Sequence, residues 1–149
     1  MADSTDNLIL SNEGDGTRLR AGRKNYLFRR RSPEEIRTEY DTSIAFVRDH
    51  YSDRWPCVDP ELTQADFDDL AQDIALHHMY YYVTNDFRVR ITKNDLEHPQ
   101  TRSAAWEFMK RKFRDDPEKA NRNTARFLGL SDEDFSSWLT GWELQMSMR

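Results

Sequence analysis

The sequence predicts a mainly α-helical domain, a compact bundle of about five helices with an extended basic N-terminal arm and room for one small β-hairpin. Three observations lead to this class. Beyond residue 32, apolar residues recur at spacings of three and four. Ser, Thr or Asp stands just before several of those stripes, in the position of a helix cap. The segment before residue 32 has no helical period and carries a concentrated positive charge. At 149 residues the chain fits one domain, and four Trp, eight Phe and six Tyr supply large side chains for its core.

Residues 1–31 are expected to form the arm, and residues 32–149 a single helical domain. Ser, Thr, Asn, Asp and Gly dominate up to Thr17, and Gly14 and Gly16 weaken any helix there. Two short apolar patches, Leu8–Leu10 and Tyr26–Phe28, are too short to fold alone but long enough to dock on a surface. From Thr17 to Arg31 there are seven basic residues and no acid, whereas the rest of the chain beyond Arg31 holds 15 basic residues against 23 acids. A charge division of this kind acts on encounter and binding rather than on fold.

Ser32, Pro33 and Glu35 form a capping box with proline in the first turn, and Ile36, Tyr40, Ile44, Val47 and Tyr51 carry one stripe of a helix over 33–51. Two prolines within Asp53–Pro60 mark a loop. Thr63 with Asp66 opens a second helix, striped by Phe67, Leu70, Ile74, His77 or His78, and Tyr81. After Tyr82 the helical period fails and Phe87, Val89 and Ile91 alternate with Arg88 and Arg90. Tyr80–Val83 and Phe87–Ile91 could therefore pair as a hairpin. Pro99 opens a third helix with Ala105, Trp106, Met109 and Phe113 inside, and Asp116-Pro117 a fourth that ends at Gly129. Ser131 with Asp134 caps a fifth, striped by Phe135, Trp138, Leu139, Trp142 and Met146, with Trp138 expected as a core anchor.

The chemistry-bearing residues point away from catalysis. No GxGxxG, P-loop, GxSxG or HExxH occurs, and no cofactor is implied. Asp73 and His77 share a helix face, which can hold two metal ligands, but the sequence places no third or fourth. Cys57 lies between Pro56 and Val58 with nothing beside it in sequence to activate the thiol. A pocket formed by His77, Asp73 and Tyr81 is where an enzyme of unfamiliar design would place its chemistry. The stretch Asn123–Trp142 has the outline of a helix-turn-helix, but Asp132, Glu133 and Asp134 stand where a DNA-reading helix presents basic or amide side chains. Those acids suit the first turn of a helix instead.

No apolar run is long enough to span a bilayer, and the acidic N-terminal stretch does not read as a secretory or transit signal. With one cysteine, no intrachain disulfide forms, and a reducing, intracellular setting is the simplest expectation. The functional expectation is a non-enzymatic protein–protein interaction module, a subunit of an assembly or a small regulator or inhibitor. Its docking residues would be Arg18, Arg20, Arg23, Lys24, Tyr26, Phe28, Arg29, Arg30 and Arg31 of the arm, with Tyr80 and Tyr82 of the body, against an acidic surface of another protein. The alternative is a nucleic-acid-associated protein whose arginines meet phosphates and whose aromatic residues stack on bases. The body from Ser32 onward is expected to fold without the arm, and reversing Arg29, Arg30 and Arg31 to Glu is expected to spare folding and weaken partner binding.

Overall fold

A computed structural model describes the backbone of residues 7–22, 24–84 and 91–148, and all of their side chains except those of 81–84 and 100. The fold is mainly α-helical with one small sheet. Three antiparallel strands lead the chain, β1 (Ile9–Glu13), β2 (Gly16–Ala21) and β3 (Lys24–Phe28), in the spatial order β1-β2-β3. Six helices follow among the described residues: α1 (Pro33–Tyr51), α2 (Gln64–Thr84), the four-residue α3 (Lys93–Leu96), α4 (Pro99–Lys112), α5 (Pro117–Leu128) and α6 (Asp132–Ser147).

The helix starts follow their caps. The Ser32 hydroxyl accepts from the Glu35 amide and the Glu35 carboxylate accepts from the Ser32 amide, both at 3.1 Å. Thr63 and Asp66 make the same reciprocal pair at the start of α2. Asp116 caps α5, and Ser131 caps α6. Gly129 closes α5 in the left-handed region at φ 71, where a side chain would be strained, and Arg54 reaches across to donate to the freed Leu128 carbonyl at 2.9 Å.

Helix α2 is the central element. Leu70, Ala71, Ile74, Ala75, Leu76, His78 and Met79 are all buried, so α1, α4 and the sheet enclose most of its circumference. A helix enclosed over most of its circumference keeps only a narrow polar face to mark its period. That explains a correction to the sequence reading: Tyr80–Val83 do not form a strand, because α2 continues through Thr84. The proposed partner strand at residues 87–91 lies, except for Ile91, outside the described residues.

The β-element lies at the N-terminus instead. Residues 9–28 form a meander rather than a free arm, and Leu19, Ala21 and Phe28 belong to the same hydrophobic core as Ile36, Tyr40, Leu70 and Met79. Leu8, Leu10 and Tyr26 pack partly against it. The sheet is closely fitted at Gly16, where a Cβ would lie 2.5 Å from the Phe28 carbonyl oxygen. Thr17, the next residue, ties the same end by donating to the Arg31 carbonyl at 2.7 Å. The domain thus spans the supposed boundary at residue 32. Deleting residues before Ser32 would uncover core surface on α1 and α2, so that variant should melt non-cooperatively or be insoluble. In the full chain Phe28→Ala should cost about 3–5 kcal/mol in a denaturant titration.

On the opposite side of the core, Tyr51 stacks on Phe127 with ring centroids 4.2 Å apart, and its hydroxyl donates to the Leu96 carbonyl at 3.2 Å. Burial pushes this hydroxyl up to about 12 from its ordinary 10, with Arg54 and Arg102 opposing the shift. The folded state therefore holds the proton more tightly than the unfolded chain. The associated stability is complete below pH 10 and drains as pH rises toward 12, a loss on the order of 2–3 kcal/mol. Melts of the parent across this range should show that decline, and Tyr51→Phe should lack this component.

Candidate functional site

The basic residues that are adjacent in sequence separate in space. Along β2, Thr17, Leu19 and Ala21 face the core while Arg18 and Arg20 face away, as a two-residue period requires. Arg18 is engaged by Glu13, at 2.7 and 3.0 Å through two nitrogens, and donates to Asn25 Oδ1 at 3.0 Å. This bond holds the Glu13 carboxyl below its usual range. Arg20 is exposed and pairs in register with Ile9 of β1, itself 62% exposed. The outward face of the sheet thus combines Ile9 and Leu27 with Arg18 and Arg20.

Lys24, Tyr26 and Phe28 alternate to the other face, toward α2. Phe28 is 1% exposed and packs in the core, which corrects its assignment to a partner surface. Tyr26 packs against Tyr80, which is 45% exposed, with ring centroids 4.6 Å apart and the rings tilted, and together they form an aromatic seam between sheet and α2. Burial raises the Tyr26 hydroxyl above its ordinary range, with added effects from Asp73 and Tyr80. Arg29 and Arg30 occupy the turn after β3, both exposed, and Arg31 leads into α1. Arg23 lies outside the described residues, as does the side chain of Tyr82.

Beside the seam is a polar cleft of about 410 Å³ lined by Asn7, Lys24, Asp69, Gln72, Asp73 and Arg111, among others. Its charges largely answer one another: Arg111 pairs with Asp73 at 2.9 Å, and Lys112 pairs with Asp66 at 2.8 Å just beyond. Burial raises the Asp69 carboxyl, and Asp73, Asp66 and Asp68 add to this. Of the pocket foreseen from sequence, Asp73 is present in the lining, His77 is not, and the Tyr81 side chain lies outside the described residues. No group of three or more potential metal ligands occurs among the described residues. Cys57 is exposed.

A second, partly exposed aromatic surface lies on α6. Phe135 is buried against the bundle and is the anchor of this helix, whose principal neighbour is α5. Trp138 and Trp142 stack with centroids 6.0 Å apart and are only partly buried, so the expectation that Trp138 is a core anchor is corrected. A groove of about 370 Å³ runs along them, bordered by Ser137, Gly141 and Gln145, with Pro99 opposite. Leu144 and Met148 are exposed at 61% and 78%. The helical period placed Trp138 and Trp142 on a stripe with Phe135, but it carries no sign that the stripe is wider than the surface it meets.

No helix among the described residues is long and apolar enough to cross a membrane. Comparison with protein-family models, with curated proteins and with solved structures finds no match for the chain. Trp138→Ala should therefore cost under about 2 kcal/mol, against roughly 3–5 for Phe135→Ala, when the two are compared by denaturant unfolding.

Proposed function

We propose that this protein is a non-enzymatic interaction module, a subunit of an assembly or a small regulator, that docks on other protein surfaces through an aromatic helix face and a basic sheet face. The observation that carries this reading is the α6 surface, where two stacked tryptophans border an open groove with Leu144 and Met148 exposed nearby. Trp is enriched where interfaces concentrate their binding energy, and Met adapts to varied partners. The nucleic-acid alternative is weakened by the division of the basic cluster, since Arg18 is engaged by Glu13 and Lys24 faces the opposite side of the sheet from Arg20. A phosphate-tracking surface needs its cations on one face. The enzymatic reading finds less support, because among the described residues that line the polar cleft with Asp69 and Asp73 there is no cysteine, serine or histidine.

Capture experiments with the tagged full chain test the reading. A specific protein should be retained by the parent, resist nuclease treatment, and be lost with Gly141→Lys or with Arg20→Glu, both of which should leave the circular-dichroism melt close to that of the parent. Recovery of nucleic acid that disappears with nuclease, together with loss of all captured protein, would favour the alternative.

A further inference from the structure

We propose that the two docking faces fit each other, so that the tryptophan-lined groove of α6, with Asp134 just beyond its end, receives the Ile9–Arg20 face of the sheet from a second copy of this chain. The inference rests on the interaction-module reading above and names its partner. Charge is the first argument. Of the basic residues of the sheet's outward face, Arg20 is exposed and Arg18 is engaged by Glu13, whereas residues 131–148, which include all of α6, hold four acids and no basic residue. Two α6 faces set against each other would bring like charges together, and so would two sheet faces. One of each is complementary.

Shape is the second argument. Gly141 lies between Trp138 and Trp142, and a Cβ built there meets nothing within 4 Å, so the groove floor is open. Ile9 projects from the sheet as an isolated, 62% exposed aliphatic side chain of a size to enter such a groove. Arg20 is its cross-strand neighbour, at a distance of about 5 Å between such partners. Asp134 lies on the same side of α6 as Ser137 and Gly141, seven residues before the latter, or about 10 Å along the helix. With Ile9 over Gly141, an extended arginine at position 20 reaches toward Asp134, and its guanidinium plane can also lie on a tryptophan face.

The contact joins two different surfaces, so each chain retains one free face of each kind and assembly continues into a ring or a filament. That property supplies the test. Sedimentation of the purified full chain over a wide concentration range should show species larger than a dimer at low salt, reduced at high salt. Gly141→Lys fills the groove with bulk and positive charge, Ser137→Lys does so one turn earlier, and Arg20→Glu reverses the opposing face. None removes a core residue, and each should weaken association about tenfold or more. The decisive sample is an equimolar mixture of Gly141→Lys and Arg20→Glu. Each chain lacks a different face, so the mixture should form a dimer containing one chain of each variant and stop there. A parent that stays monomeric at every concentration overturns the inference, as does association that survives either variant or that mixing does not restore. Loss of a heterologous captured protein in the same variants would still stand, so failure of self-assembly and failure of the interaction-module reading are distinguishable.

Discussion

The alternation along β2 is the constraint on which the rest of the molecule depends. Leu19 and Ala21 must point into the core for the sheet to lie on α1 and α2, and the pleat then turns Arg18 and Arg20 outward. A slip of one residue would bury two guanidinium groups and expose Leu19. Register is held further by the close approach at Gly16 and by the hydrogen bond from Thr17 to the Arg31 carbonyl. The same geometry that completes the core therefore sets which basic residues are available to a partner.

The distribution of aromatic residues follows from how many neighbours each helix has. Around α2 and α5, Tyr51, Trp55, Phe67 and Phe127 contact one another within the bundle. Helix α6 comes last in the described chain and rests mainly on α5, so one large side chain, Phe135, is enough to seat it. The tryptophans one and two turns farther on extend past the supporting surface. Apolar area of this kind gains from being covered, at roughly 25 cal/mol per Å² removed from water, which is why a stacked Trp pair at an open groove supports a docking role.

Electrostatics divides the molecule in a parallel way. Around the polar cleft, acids and bases on α2 and α4 meet as Asp73–Arg111 and Asp66–Lys112. Asp66 illustrates the balance: burial alone would raise its carboxyl, but Lys112 and the Thr63 amide together hold it below the usual range. Arg20 on the sheet and the acids along α6 lie outside this network, where a partner can act on them.

The sequence by itself determined where α1, α2, α4, α5 and α6 begin, though not the four-residue α3. Ser32, Thr63, Asp116 and Ser131 each satisfy amides within three residues of themselves, and Gly129 ends α5 by its own backbone freedom. These are local interactions, and local patterns report them. The sheet was less legible because Arg18 and Arg20 read as part of a charge cluster, although the apolar partners Leu19 and Ala21 between and beside them carry the two-residue period. Tertiary structure alone decided that α2 runs on through Tyr80, that Phe28 is core and Trp138 is not, and that Lys24 and Arg20 lie on opposite faces of one sheet. Each of those outcomes depends on which surface lies opposite a residue, and that is fixed by contacts between segments far apart in the chain.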